Sequence, residues 1–249
     1  LFSGDELKTN NLFSIHAFGQ EIPISDTIVM TWIIMAVLII LSVVFTRNMK
    51  KIPVGKQSVT EIVVEGINGV IKSTMGHHWK SFAPYFGTVF LFLIVANMSS
   101  LFNLFPSAET LYFITGNEYF ENCAQFSIVP PTKDINLALA LAIISIVLIP
   151  ISGIRYKGLG GWLKSFLKPM PMMLPFNILD YGTRILSLTL RLFGNILAGF
   201  VIMELLYQGA LFVKPLIPIA SAFFDLFDAG LQSYIFVFLS SMYIAEVIE

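Results

Sequence analysis

Arg191 stands within LSLTLRLFGNILAG, a run otherwise free of charge. A guanidinium placed at the centre of a membrane helix costs about 2.5 to 3.5 kcal/mol on insertion scales, and about 10 or more in simulation. It therefore needs water or an ionic partner. Its chemistry is that of a fixed cation, which either holds an anionic group or favours the ionised form of a carboxylate brought close to it. A structural ion pair with an acid of its own bundle is the other reading.

Successive residues of a helix turn by about 100°, so Asn195 at +4, Ser187 at −4, Thr183 at −8 and Asp180 at −11 fall close to the face of Arg191. A polar stripe thus leads from the start of the helix to the arginine. Ser187 and Thr183 have a second reading, in which each hydroxyl bonds the backbone of its own helix. Glu204, thirteen residues beyond Arg191, lies about 220° round the helix and roughly 20 Å along it, off the arginine's face. It marks either a second polar route or a solvated interface. In a following segment Asp225, Asp228 and Gln232 recur at i, i+3 and i+7, with Ser221 one turn earlier, which predicts one hydrophilic helix face.

His77 and His78 in MGHHWK have no carboxylate or cysteine at ligand spacing, so they read as interfacial histidines and no metal site is expected. The single cysteine, Cys123, lies in a polar stretch and can form neither an internal disulfide nor a cysteine-based zinc site. No P-loop, nucleophile triad or dinucleotide fingerprint occurs, so no cofactor is expected and nucleotide chemistry is not this chain's work. Met170, Met172, Met173 and the phenylalanines read as packing or lipid-facing residues.

The elements that position these groups follow from composition. Of 249 residues, 12% are charged and 56% hydrophobic, with a mean hydropathy of +0.79. Soluble domains carry about one quarter charged residues, so too little charge is present to cover a water-facing surface. An all-α integral membrane protein is expected, in one membrane domain. The net charge of −1 and pI near 6.4 disfavour nucleic-acid binding.

Residues 1–26 are mixed and polar, without the basic and apolar regions of a signal peptide, and read as an outer N-terminal segment. Residues 27–46 are uncharged and long enough, at about 30 Å, for span one. Over 54–75, Val59, Ile62, Val63, Ile67, Val70 and Ile71 recur at helical spacing among Lys56, Glu61, Glu65 and Lys72. That pattern predicts an amphipathic helix, lying on the membrane or facing a partner. Residues 82–105 and 135–154 read as spans two and three, joined by a polar outer loop at 107–133 holding Glu109, Glu118 and Glu121.

LKPMPMMLP reads as an irregular connector to a helical hairpin, 175–213 and 216–247, turned at Lys214 and Pro215. Each arm approaches about 45 to 60 Å, which predicts strong tilt. Arg47, Lys50, Lys51 and Lys56 follow span one, and Arg155, Lys157, Lys164 and Lys168 follow span three. The positive-inside rule makes both clusters cytoplasmic. About five crossings then put the N-terminus outside and the C-terminus inside. No internal repeat is visible, which weighs against a repeat-built transporter.

LRLFGNILAG at 190–199 followed by LQSYIF at 231–236 resembles the signature hairpin of the F-type ATP synthase a subunit, in its bacterial form. PTKDINLAL at 131–139 and IRYKGLGGWLKSF at 154–166 are similar too, and the resemblance runs in order over 82–247. It implies ion translocation, of protons or sodium, through two offset half-channels against a ring of c subunits. It also implies peripheral-stalk b subunits and the other ATP synthase subunits as partners, in a bacterial plasma membrane.

The resemblance assigns Arg191 to the ring-facing position between the half-channels, Asn195 and Gln232 to polar positions beside it, and Asp180 to the cytoplasmic half-channel. Two positions depart from the family pattern: Phe200, nine after the arginine, is often Glu or His, and Asp225, seven before the glutamine, is often His or Glu. Glu204 and the pair Asp225 and Asp228 are expected to supply the outer route instead. The alternatives are a transporter or channel working alone, with Arg191 binding a small anionic substrate, and a structural membrane anchor.

Overall fold

The computed structural model describes residues 11–17, 20–47, 55–99, 130–166, 174–208 and 222–248, with isolated positions at 49, 50, 52, 53, 172 and 220. Most of the polar loop, with Glu109, Glu118, Glu121 and Cys123, lies outside the described residues, as do Ser221, Lys214, Pro215, Lys51, Lys168, Met170 and Met173. The fold is that of an all-α membrane protein apart from a short N-terminal hairpin.

That hairpin pairs β1 (Asn11–Ala17) antiparallel with β2 (Gln20–Ser25), with Ile15 opposite Ile22 and an irregularity between Asn11 and Phe13. Helix α1 (Asp26–Thr46) follows at once. Asp26 opens it: its Oδ1 accepts the Thr27 N–H at 2.8 Å, and the acid favours the positive end of the helix dipole. Beyond this start α1 is apolar all round and almost wholly exposed by the rest of the chain, Trp32, Ile39, Ile40, Val43 and Val44 included. In water such a helix would aggregate; in hydrocarbon it is at home.

Helix α2 (Lys56–Met75) turns through a short 3-10 stretch, Gly76–His78, into α3 (Trp79–Met98). The repeating apolar positions of α2 divide. Ile67, Ile71 and Met75 are buried, and Ile67 lies where a Cβ on Gly87 of α3 would touch it, whereas Val59, Ile62 and Val63 are exposed. His77 and His78 are exposed, and the His78 ring meets Tyr156 edge-on at 4.7 Å.

Helix α4 (Ile135–Phe166) is broken at Gly158, whose φ of 74° and ψ of 161° no helix contains and residues with a Cβ rarely adopt. Before the break, Ala138, Ala142, Ser145, Ile146, Ile149 and Ser152 make one buried stripe. Small side chains there let neighbouring backbones approach closely. Beyond the break the chain returns, and Trp162 lies over Gly153 together with Val247.

Helix α5 (Leu174–Gln208) runs 35 residues with its one proline, Pro175, in the first turn, about 52 Å at 1.5 Å per residue. A π-helical turn, Ala222–Asp228, leads into α6 (Ala229–Ile248). Four stretches among the described residues are long and apolar enough to cross a membrane: Asp26–Thr46, Lys56–Met98, Ile135–Ser165 and Leu226–Ile248.

Contacts group the chain into two compact units. In the first, comprising Leu1–Ile40, Phe92–Asp134 and Ile196–Gly230, Thr27 donates to Asp134 at 3.1 Å, Thr132 donates to Asn97 at 2.7 Å, and Gly199 faces Phe224. In the second, comprising Leu41–Leu91, Ile135–Asn195 and Leu231–Glu249, the hydroxyls of Thr74 and Ser241 meet at 2.8 Å and those of Tyr85 and Ser145 at 3.0 Å, around Ile71, Phe86, Ile149, Leu188, Leu192, Phe236 and Ile244.

Candidate functional site

The second unit holds Arg191. Leu188 and Leu192 are fully buried and anchor one face of α5; the opposite face, with Gly182, Thr183, Leu186, Ser187, Leu190 and Arg191, is exposed. Among the described residues Arg191 makes no hydrogen bond and no ion pair. A Cβ at Gly182 or at Gly194 would meet nothing within 4 Å. The exposed face is therefore open enough for another backbone to come close, with a cation at its middle.

The stripe beside the arginine is mixed in character. Ser187 is exposed. Thr183 donates its hydroxyl to the Asp180 carbonyl at 2.9 Å, so it bonds its own helix. Asn195 is half-buried and already partnered. Gln232, on α6, is only 3% exposed, and its Nε2 has no hydrogen-bond partner among the described residues; the same holds for the buried hydroxyls of Thr189 and Ser240. Three unpartnered polar atoms inside one unit are costly in a dry interior.

Asp180 is engaged. Arg184, one turn on, bonds Asp180 Oδ2 at 2.7 Å and Glu246 Oε2 at 2.9 Å, and its guanidinium lies 4.4 Å from the centre of the Tyr243 ring. Its side chain is 13% exposed, against 48% for Asp180 and 61% for Glu246. Tyr181 lies beside this cluster. Sequence reasoning passed over Arg184 and Glu246. The i, i+4 spacing of Asp180 and Arg184 is a visible signal for a helix pair, but nothing local points from Arg184 to Glu246.

On the other arm the expected hydrophilic face does not follow the α-helical period. Asp225 and Asp228 stand on the π-helical turn, whose i→i+5 bonding rotates less per residue than an α-helix, so three residues no longer return to nearly the same face. Asp228 is half-buried and partnered. Glu204 lies on α5 and Asp225 on the π turn, but their side chains are outside the described residues. Among the described residues no group of three His, Cys, Asp or Glu is placed to hold a metal ion.

Residues 28–245 match the family model described as ATP synthase A chain.

Proposed function

The chain belongs to the ATP synthase A chain family, and on that premise we propose that Arg191 is the charge past which the ring carboxylates move, separating two offset half-channels. Membership makes the chain a multi-pass membrane protein of the ATP synthase membrane sector, taking part in proton translocation beside other subunits of the complex. The finer reading rests on one observation: a guanidinium exposed on an apolar helix without an internal counter-charge among the described residues. In hydrocarbon alone that arrangement is prohibitive. A carboxylate presented by a neighbouring subunit resolves it, and the open positions at Gly182 and Gly194 leave room for that subunit's helix.

The mechanism follows from charge. A ring carboxyl arriving with its ion meets a fixed cation, which lowers such a pKa by about 1 to 3 units and releases the ion. The ion leaves by one half-channel while the next site loads from the other. In this reading Asp180, Thr183 and Ser187 flank the cytoplasmic route, Asn195 and Gln232 sit beside the arginine, and Glu204, Asp225 and Asp228 serve the outer route. The unpartnered Nε2 of Gln232 supports a hydrated or mobile neighbour at that level. One charge falling through 100 mV delivers about 2.3 kcal/mol, so several must pass for each ATP made elsewhere in the complex.

The positive clusters after α1 and within α4 support an outside N-terminus and a cytoplasmic C-terminus in a bacterial plasma membrane, with peripheral-stalk b subunits on the complex. Purification under mild detergent tests the assignment: a soluble ATPase and a small ring-forming proteolipid are expected to accompany the chain, and a solitary chain with transport activity would favour an anion carrier. For the outer route, Glu204→Gln and Asp225→Asn are each expected to slow ion-driven ATP synthesis several-fold without uncoupling it. Unchanged synthesis rates in both variants would remove these residues from the path.

A further inference from the structure

Two arginines lie on nearly one face of α5. Arg184 and Arg191 are seven residues apart, which is about 10.5 Å along the axis and about 20° in rotation. Their surroundings differ completely. Arg191 is unpaired among the described residues, while Arg184 is held between Asp180 and Glu246 and covered by Tyr243.

We infer that Asp180, Arg184 and Glu246 form a cation-collecting mouth for the half-channel at that end of α5, with Glu246 the residue that sets its sign. The inference rests on the reading of Arg191 given above. Two carboxylates against one guanidinium leave the cluster with one net negative charge, half open to solvent, two turns before the arginine. Without the acids, Arg184 would be a second positive charge in the approach, repelling the cation and competing with Arg191 for the ring carboxylate. Asp180 alone would bring the cluster to neutrality. Glu246 makes it attractive.

The placement suits capture. Asp180 and Glu246 reach solvent while Arg184 is nearly enclosed, so the negative ends face outward and the positive end inward. A cleft lined by one sign of charge raises the local concentration of its counter-ion and the rate of uptake by about tenfold or more. Among the described residues, the titratable groups beside the cluster are Tyr181 on α5 and Tyr243 on α6. Neither adds a full charge at neutral pH.

Glu246→Gln is the discriminating change, because the amide oxygen still accepts the Arg184 N–H and the bond to α5 survives while the charge is lost. In vesicles carrying the complete membrane sector stripped of its ATPase, passive conduction at low ionic strength is expected to fall about three- to tenfold. The deficit should shrink at high salt, where the field is screened beyond about 3 Å at 1 M, and Glu246→Asp should restore the rate. The double variant Arg184→Gln with Glu246→Gln leaves Asp180 as the single charge, so it is expected to recover most of the lost rate.

Wild-type conduction in Glu246→Gln would overturn the inference. So would a deficit independent of salt that the double variant deepens, since that is the behaviour of a structural latch. Should Glu246→Gln fail to assemble, the aspartate and double variants carry the same test: assembled complexes conducting well below wild type in both would refute it. Arg191→Ala, read by coupled ATP synthesis in vesicles of the complete complex, keeps the two ideas apart, because wild-type conduction in Glu246→Gln beside lost coupling in Arg191→Ala sinks only the mouth, whereas wild-type behaviour in both variants sinks both.

Discussion

Arg191→Ala is expected to abolish coupled ATP synthesis, by at least about a hundredfold, as removal of a single preorganised electrostatic group does elsewhere. The complex should nevertheless assemble. The Arg191 side chain makes no hydrogen bond or ion pair among the described residues, and the flanking Leu188 and Leu192, which anchor α5, are untouched. Alanine is also the best helix former, and an exposed charge leaves hydrocarbon, so no stability is lost locally. The measurement is ATP synthesis driven by an imposed gradient in vesicles, with ring and stalk subunits quantified in the same preparation. Arg191→Lys keeps the charge but not the planar fork of donors, so it should retain partial coupling at best. Normal synthesis in the alanine variant would refute the role given to this residue.

Gly153→Ala is expected to be the most damaging conservative change outside the ion path. An added Cβ would overlap the Trp162 indole and lie 2.8 Å from Val247 Cγ1, neither a flexible chain end with somewhere to go. Trp162 is carried on the return segment beyond Gly158 and its indole nitrogen is buried, so it cannot simply swing away. Overpacking of this kind costs about 1 to 3 kcal/mol. The displaced indole would also disturb the neighbourhood of Asp180, Arg184 and Glu246. A lowered melting temperature of the purified complex, with altered tryptophan emission, is the expected result. A wild-type melting curve would show that the three elements do not meet tightly at this point.

The order of these two effects follows from where each residue spends its interactions. Arg191 turns outward, so its loss is felt in function and hardly in folding. Gly153 lies where two helices and a returning segment converge, so its replacement is felt in folding first.

Much of this was legible in the residues. Twelve percent charge over 249 residues leaves no soluble solution, and uncharged runs of helical length leave few alternatives to crossing a bilayer, because backbone groups in lipid must satisfy one another within the helix. The cost of an intramembrane guanidinium singled out Arg191 for the same reason. Such inferences need only local chain properties and the nature of the solvent. The N-terminal hairpin was missed although a signal existed: Phe13 and Ile15, then Ile22 and Ile24, alternate with other residues on either side of Phe18 and Gly19. The segment's polarity masked that period.

Other properties exist only in three dimensions. Arg184 and Arg191 are the same residue type on nearly the same face of one helix, and no local rule says which is neutralised; that is decided by Glu246, 62 positions later, brought to 2.9 Å by the packing of α6. The period-three spacing of Asp225 and Asp228 promised a common face, but the π-helical turn changes the rotation per residue and with it the phase. In α2, Ile62 and Ile67 are equivalent by composition, yet α3 covers one and leaves the other exposed. The sequence by itself determined the solvent, the helices and the charged residue that had to matter, because each is a property of a segment in its medium. Only tertiary structure decided which charges are spent on the protein's own interior and which remain available to a partner, because pairing depends on groups distant in the chain meeting at bond length.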